Sequence, residues 1–187
     1  MDADDYMTYE EFGRKFFEVA VTEDRVGGAI GAIAGDSFEM GPIGQGPGKI
    51  AKVTAKVRIM EPRVTRQVGE MITFAIRIPL EIDMVVDLRI DRPKFMVFGE
   101  IALRATARAA DPLLLILDVE KPRSSDISIH VTSKSLRAEV VRVLGGIDAE
   151  IRRFIAAHVS GEIDSPASKE AKIIDVADRL DAAWTGI

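Results

Sequence analysis

The alternation of apolar and polar residues between positions 72 and 90 is the strongest pattern in the chain. Every even-numbered residue in this segment is apolar, and most of the odd-numbered ones are polar. A period of two indicates a β-strand with one buried face, and a helix cannot produce it. Because so long a strand must bend or divide into two segments that keep phase, we expect the bend or an exposed edge near Pro79, which has no N–H group.

Period-two alternation also predicts strands before and after this segment. One strand begins after Lys49, and another covers residues 95–107, where Gly99 is expected to form a bulge or kink. Two shorter apolar segments follow, at residues 113–119 and 127–131. The sequence therefore predicts an antiparallel sheet with one apolar face and one face of charged residues and threonine.

Helical signals precede the strands. Thr8 and Glu11 form a capping box at the start of a first helix. Thr22 can cap a second helix, which Gly35 would end. A loop is expected between this helix and the first strand, at residues 36–48.

After the strands, the apolar period returns to 3.6 residues. Apolar positions between Leu136 and Ile163 predict a long amphipathic helix, with a kink or interruption at Gly145-Gly146. Ser165, which proline follows, then caps a last helix. The apolar stripe of that helix is expected to consist of Ile173, Ala177, Leu180 and Trp184.

These elements predict an α+β fold in which a strongly curved antiparallel sheet of long strands wraps a long C-terminal helix, with N-terminal helices beside it. The apolar face of such a sheet must be covered, and the terminal helices carry matching apolar stripes. A length of 187 residues favours a single domain over 1–187, with helices at 8–35, the curved sheet at 48–132 and C-terminal helices at 135–185.

Composition excludes several classes of function. The chain has no cysteine, which excludes disulfides, zinc–thiolate sites, iron–sulfur clusters and a cysteine nucleophile. Its formal net charge of −5 argues against a dedicated nucleic-acid-binding protein. No apolar segment reaches the ~18 residues of a membrane span, and the acidic residues 1–5 are the opposite of a signal peptide, so the expected location is the cytoplasm.

The sequence contains no convincing catalytic or metal-binding pattern. The glycine-rich segment 41–48 lacks the Lys-Ser/Thr pair of a phosphate-binding loop and precedes a strand, so an ordinary turn is expected there. His130 is expected to be exposed on the outer face of a strand, and His158 to lie near a helix end. We therefore predict no catalytic residues, no metal and no cofactor, and favour a binding protein over an enzyme.

An apolar groove between the curved sheet and the long helix is the first candidate site. It would suit a lipid or another hydrophobic ligand if side chains do not fill it. The residues expected to line this groove are Phe74, Ile76, Ile78, Leu80, Ile82, Met84, Val97, Ile101, Leu103, Ile151, Phe154 and Ile155.

A basic stretch within the acidic chain is the second candidate site. The stretch consists of Lys49, Lys52, Lys56, Arg58, Arg63 and Arg66, and the first four are the candidate contact residues. A solvated strand face is the favoured interpretation, and contact with an anionic surface, such as phospholipid headgroups, is the functional one.

Five short motifs carry a resemblance to a known family. They are Phe38-Glu39-Met40-Gly41, Pro47-Gly48-Lys49-Ile50, Gly99-Glu100-Ile101-Ala102-Leu103, Asp111-Pro112-Leu113 and Glu120-Lys121-Pro122. Together with the order of helix, glycine-containing loop, long curved strands and helix, they make residues 10–160 similar to the tubular lipid-binding (TULIP) superfamily, especially its synaptotagmin-like mitochondrial lipid-binding domains. The resemblance implies a hydrophobic groove for acyl chains and no catalytic residues. The short chain and the last helix pair depart from the family pattern.

The leading hypothesis is non-catalytic binding or transfer of a lipid or another hydrophobic ligand, accompanied by peripheral membrane contact and without a nucleic-acid partner. A helix-grip-type ligand carrier or enzyme is one alternative, but that fold begins with a strand and has polar groups in its cavity. The other is a protein–protein interaction module with a filled core, which would dock a partner through the basic strand face or the Trp184 helix. The oligomeric state stays open, and a homo-oligomer is one of its possibilities.

Overall fold

A computed structural model of the chain describes residues 6–35, 37–45, 51–88, 90–131 and 138–185. It confirms the α+β fold, with a strongly curled antiparallel sheet shaped like half a barrel. The helices are α1 (Tyr9–Ala20), α2 (Glu23–Ala34), α3 (Ala138–Asp164), α4 (Pro166–Ala171) and α5 (Val176–Trp184). The strands are β1 (Ser37–Gln45), β2 (Ala51–Ile59), β3 (Arg63–Val68), β4 (Ile72–Asp87), β5 (Lys94–Ala110), β6 (Leu114–Val119), β7 (Ile127–Val131) and β8 (Ile173–Asp175). A 3₁₀ turn, Ser124–Asp126, precedes β7.

The two longest strands, β4 and β5, form the centre of the sheet. They pair antiparallel without interruption from Thr73 opposite Thr106 to Val85 opposite Lys94. Strands β3 and β6 attach toward one end of this pair, and β2 and β7 attach toward the other. Strand β1 lies beyond β2, and β8 lies beyond β6. The sheet therefore consists of two half-sheets that share the β4–β5 hairpin.

Pro79 marks the point where β4 changes its partner. Residues 72–77 of β4 pair with β3, and residues 80–87 pair with β2. Pro79 has no N–H to donate, but its carbonyl accepts a hydrogen bond of 2.9 Å from the Met60 N–H. The change of partner thus lies at the residue where the sequence predicts a bend or an edge.

The core lies between the concave face of the sheet and the helices. Along β2 and β4, buried residues alternate with more exposed ones, as the period of two predicts. On α3, every fourth residue of one stripe is buried, namely Ile147, Ile151, Ile155, Val159 and Ile163. This spacing places them on a single side of the helix, so α3 covers the concave face of the sheet.

Helix α1 is attached mainly at its C-terminal end. Its predicted capping box is present, since the Glu11 N–H donates to the Thr8 hydroxyl and the Thr8 N–H donates to the Glu11 carboxylate. None of its residues is buried. From β3, the Arg66 guanidinium donates to the carbonyls of Glu18 and Val21 at 2.7 and 3.0 Å. Arg66 therefore satisfies acceptors that a helix C-terminus would otherwise leave unpaired.

Two predictions for the ends of the sheet are wrong. Most of the segment 36–48, expected as a loop, is the edge strand β1, which pairs with β2 and shifts its register between Met40 and Ile43. The expected last helix is divided into α4 and α5 by β8, in which Ile173 pairs with Ile116 of β6. In both places, hydrogen bonding to a neighbouring strand overrides the local sequence pattern.

The structure shows neither an interruption of the long helix nor a bulge in β5, two of the effects expected at glycines. Helix α3 continues through Gly145-Gly146 without interruption. Gly99 forms no bulge, because β5 keeps its register with both β4 and β7 at this residue. A Cβ atom at Gly99 would lie 2.8 Å from the Ser128 carbonyl oxygen, so the close approach of β7 accounts for the glycine.

Candidate functional site

The predicted groove residues come together on the concave face of the sheet and the inner side of α3. Eleven of the twelve are buried, with at most 5% of their surface exposed. They are Phe74, Ile76, Ile78, Leu80, Ile82, Met84, Val97, Ile101, Leu103, Ile151 and Ile155. Phe154 is the twelfth, and it lies at the margin of the site with 39% of its surface exposed.

Side chains fill the interior between these two walls. Ile76, Ile82 and Ile155 have no accessible surface, so there is no space for a water molecule beside them. An acyl chain can therefore enter only if α3 and the sheet separate and the side chains between them rearrange.

The interior is chemically uniform. Within the described residues, the buried side chains are apolar with the exception of Ser168, which donates a hydrogen bond to the Glu162 carbonyl at the α3–α4 junction. No buried carboxylate, imidazole or amide in the described ranges faces the concave wall. The interior can hold hydrocarbon, but it supplies no group for acid–base chemistry or for recognising a polar ligand.

Three rings close the boundary between α3 and β1. Phe38 lies opposite Val57 of β2, whose side chain is buried, so Phe38 is on the concave face of β1. Its ring stacks on Phe154, with centroids 6.1 Å apart, and on His158, with centroids 3.9 Å apart. Phe154 and His158 are four residues apart and share one side of α3. We call this boundary the ring seam.

The ring seam differs from the opposite side of α3. In the described sheet, β1 is an outermost strand, as is β8 at the other end, and Phe38 contacts α3 from the concave face of β1. At the C-terminal end of α3, the Lys121 ammonium forms an ion pair of 2.5 Å with the Asp164 carboxylate. This hydrogen bond holds the pKa of the Asp164 carboxyl below its ordinary value. The margin between α3 and β1 is therefore closed by ring contacts rather than by a paired strand.

The sequence did not identify the ring seam. Phe38 fell in the segment expected as a loop, and His158 was expected near a helix end, whereas α3 continues beyond it to Asp164. The alternation of Phe38 and Met40 with polar neighbours was the signal that could have placed Phe38 on a concave strand face.

Acidic residues of β4 lie opposite the basic stretch on β2. Lys49 lies outside the described residues, and Lys52 and Lys56 are exposed on the convex face opposite Asp87 and Asp83. Arg58 forms ion pairs of 3.0 and 3.2 Å with Glu81 and Asp83. Opposite charges on neighbouring strands attract one another, so this face presents alternating signs rather than a cationic surface.

The two histidines lie in different environments. His130 is exposed on the convex face, as predicted, opposite Phe98 in the register. The neighbouring Ser128 hydroxyl donates to the Glu100 carbonyl at 3.5 Å and not to the imidazole. In the ranges that the structure describes, no three His, Asp or Glu residues are grouped so that they could hold a metal ion.

No helix in the described part of the chain is long and apolar enough to cross a membrane. No protein-family model matches the chain, and no curated protein is significantly similar to it in sequence.

Proposed function

We propose that the protein binds an elongated apolar ligand, such as the acyl chain of a lipid, between the concave face of the sheet and α3. One observation carries this proposal: a continuous apolar interior is bounded along one side by three stacked rings instead of a hydrogen-bonded strand. A ligand would enter where Phe38, Phe154 and His158 meet. The resemblance to the tubular lipid-binding superfamily implies the same class of ligand.

The length of the interior suits hydrocarbon chains. The uninterrupted pairing of β4 with β5, from Thr73 to Val85, extends over about 40 Å at ~3.3 Å per residue. One leaflet of a bilayer holds acyl chains in about 15 Å, half of its hydrocarbon thickness. The concave face is therefore long enough for an acyl chain to lie along it.

Binding must offset the contacts that opening breaks. Each methylene that leaves water contributes ~0.8 kcal/mol, so ten methylenes contribute roughly 8 kcal/mol. Truncating a packed isoleucine such as Ile155 costs about 2–5 kcal/mol, which indicates the scale of the lost packing. Since the ligand replaces part of that packing, the exchange of side-chain contacts for ligand contacts is energetically feasible.

A protein–protein interaction module is the second candidate, and the filled interior favours it. Large apolar side chains are also exposed on the terminal helices, at Tyr9 and Phe12 of α1 and at Leu180 and Trp184 of α5. The aromatic residues of this set are of types enriched at protein interfaces. In this case, the apolar interior is an ordinary core and the outer helices bind the partner.

A reversible chemical crosslink across the ring seam tests the leading proposal. Because the chain has no cysteine, a Phe38→Cys, Phe154→Cys double variant can be joined by a short, reducible crosslinker. We expect the crosslinked protein to lose uptake of a fluorescent fatty acid and to regain it after reduction. The matched control joins Phe98→Cys to His130→Cys, which are opposite one another on the convex face, and should take up the probe in both states.

The outcomes separate the two candidates. Native mass spectrometry of the purified wild-type chain, with organic extraction, should reveal a bound lipid mass. If the wild type carries no such mass and takes up no fatty acid, the interior does not bind ligand, and the exposed residues of α1 and α5 become the site to test. If the locked protein takes up the probe as fast as the reduced one, entry at the ring seam is disproved.

A further inference from the structure

A recess on the convex face lies where β5 changes its partner from β6 to β7. The pairing with β6 ends at Ala105, and the pairing with β7 begins at Ile101. Beside the three residues between them, the chain after β6 runs along β5, and the Glu120 N–H donates to the Arg104 carbonyl at 2.9 Å. The recess has a volume of about 770 Å³.

Small and cationic residues alternate across the two strands that form the floor of this recess. Ala75 lies opposite Arg104, and Arg77 lies opposite Ala102. Since both arginines point away from the core, each stands beside an alanine that leaves room above the sheet. Arg77 and Arg104 are diagonal neighbours, within reach of one another's long side chains and able to converge on one small group.

Cations outnumber carboxylates in the lining of the recess, in a protein whose net charge is −5. Its lining contains four cations, Arg77, Arg104, Lys121 and Arg123, and two carboxylates, Glu120 and Asp126, so its formal charge is +4 − 2 = +2. We call this cavity, which these four cations line, the arginine recess.

The cations of the arginine recess are incompletely neutralised. Arg77 forms an ion pair of 3.1 Å with Glu100, and Lys121 is bound by Asp164. Among the described residues, neither the Arg104 nor the Arg123 guanidinium forms an ion pair.

A further cation lies beside the recess. Arg63 of β3 lies directly opposite Arg77 in the register, and like charges in this position repel one another. A bound anion would relieve the repulsion between them.

We propose that the arginine recess binds a phosphate monoester, with Arg77 and Arg104 as its direct ligands. The planar guanidinium fork matches two phosphate oxygens, and a phosphate monoester carries a charge of about −1.5 to −2 near neutral pH. The carboxylates of Glu120 and Asp126 repel an extended polyanion and so favour one phosphate group over a nucleic acid. This site is separate from the apolar interior and does not depend on it.

The test is a titration with phenyl phosphate at constant ionic strength, followed by NMR of the arginine side-chain N–H groups. Constant ionic strength is needed because salt screens exposed charges. We expect saturable shifts of Arg77 and Arg104. Arg77→Gln and Arg104→Gln should each weaken binding about tenfold, the loss of one charge-assisted contact. All three substitutions in the test, including the control, change exposed side chains, and circular dichroism verifies their fold.

Arg108→Gln is the matched control. Arg108 lies on the same strand and the same face as Arg104, but Asp118 pairs with it at 2.8 Å and it does not line the recess. Its replacement should change the affinity less than about twofold. Equal weakening by Arg104→Gln and Arg108→Gln would show diffuse charge attraction and overturn the proposal.

A second arm identifies the source of the phosphate. Phosphatidylcholine vesicles with and without phosphatidic acid are sedimented with the same variants. Binding of phenyl phosphate without vesicle binding supports a soluble ester, and binding of phosphatidic acid vesicles that depends on Arg104 but not on Arg108 supports a lipid headgroup. Absence of saturable binding in both arms disproves the site.

Discussion

The rings of Phe38 and His158 stack with their centroids 3.9 Å apart, although one belongs to the first strand and the other to the longest helix. This contact joins the outermost strand of one half-sheet to the helix that covers the core. It is also the closer of the two ring contacts that form the ring seam. The strength of the ring seam should therefore control how often α3 and β1 separate.

Removing the imidazole should loosen the ring seam. A stacked aromatic pair contributes ~0.5–1.5 kcal/mol, so His158→Ala should speed hydrogen exchange of the β1 amides roughly two- to tenfold. The measurement is native-state hydrogen exchange by mass spectrometry. His130→Ala on the convex face is the control and should leave β1 exchange unchanged; faster exchange in both variants would disprove a specific role for the stack.

The buried stripe of α3 should dominate the stability of the fold. Ile155→Ala removes a side chain without accessible surface and should lower the free energy of unfolding by about 2–5 kcal/mol. Ile90, which is 99% exposed, offers the same substitution without burial, and Ile90→Ala should change stability by less than ~0.5 kcal/mol. Urea denaturation measures both values, and equal losses of unfolding free energy in the two variants would contradict the burial of Ile155.

Gly99 should not tolerate a methyl group. Gly99→Ala would place Cβ 2.8 Å from the Ser128 carbonyl oxygen, and we expect a loss of about 1–3 kcal/mol as β7 moves away. Gly145 of α3 has no atom within 4 Å of an added Cβ, and Gly145→Ala should stabilise the helix by up to ~1 kcal/mol. Thermal denaturation of the two variants should therefore shift the midpoint in opposite directions.

The Lys121–Asp164 ion pair should make the stability of the folded protein depend on pH in the acidic range. The lowered pKa of Asp164 means that the folded state favours the carboxylate, mainly because Lys121 donates a hydrogen bond to it. The contribution of the ion pair to folding stability is fully present above the ordinary pKa of 3.8. It is lost as the pH falls through the lowered pKa.

Stability curves of the wild type and Asp164→Asn test this sign. The difference between them should be constant near neutral pH and should shrink as the solution is acidified below pH 3.8. Glu11, whose pKa is lowered by its hydrogen bonds with Thr8, keeps its own acid dependence in both proteins. If the difference in stability grew on acidification, the folded state would favour the protonated Asp164, which contradicts its assigned role.

The sequence predicts the central strands well because their alternation encodes which face is buried. From Ile72 to Val86 every inward position was identified, and α3 was identified from its stripe at Ile151 and Ile155. These are properties of single elements, and a period of 2 or 3.6 residues describes them completely.

Features that depend on two distant segments could not be predicted in this way. Strand β1 exists because β2 pairs with it, despite the turn-forming residues Gly41-Pro42 within it. The apolar stripe that begins at Ile173 suggested one helix, although Ile173 belongs to a strand that β6 holds. The arginine recess is likewise assembled from β4, β5 and the segment after β6, and local charge density in the sequence pointed instead to β2.

The change of partner at Pro79 should divide the sheet into two parts that open independently. In the described sheet, only β4 and β5 run through both half-sheets, so the hydrogen bonds of β1, β2 and β7 can break while those of β3, β6 and β8 stay intact. The two groups of strands should therefore behave as separate foldons, each with its own opening free energy. An event that lifts α3 from β1 would raise the fluctuations of one group and leave the other as a rigid frame.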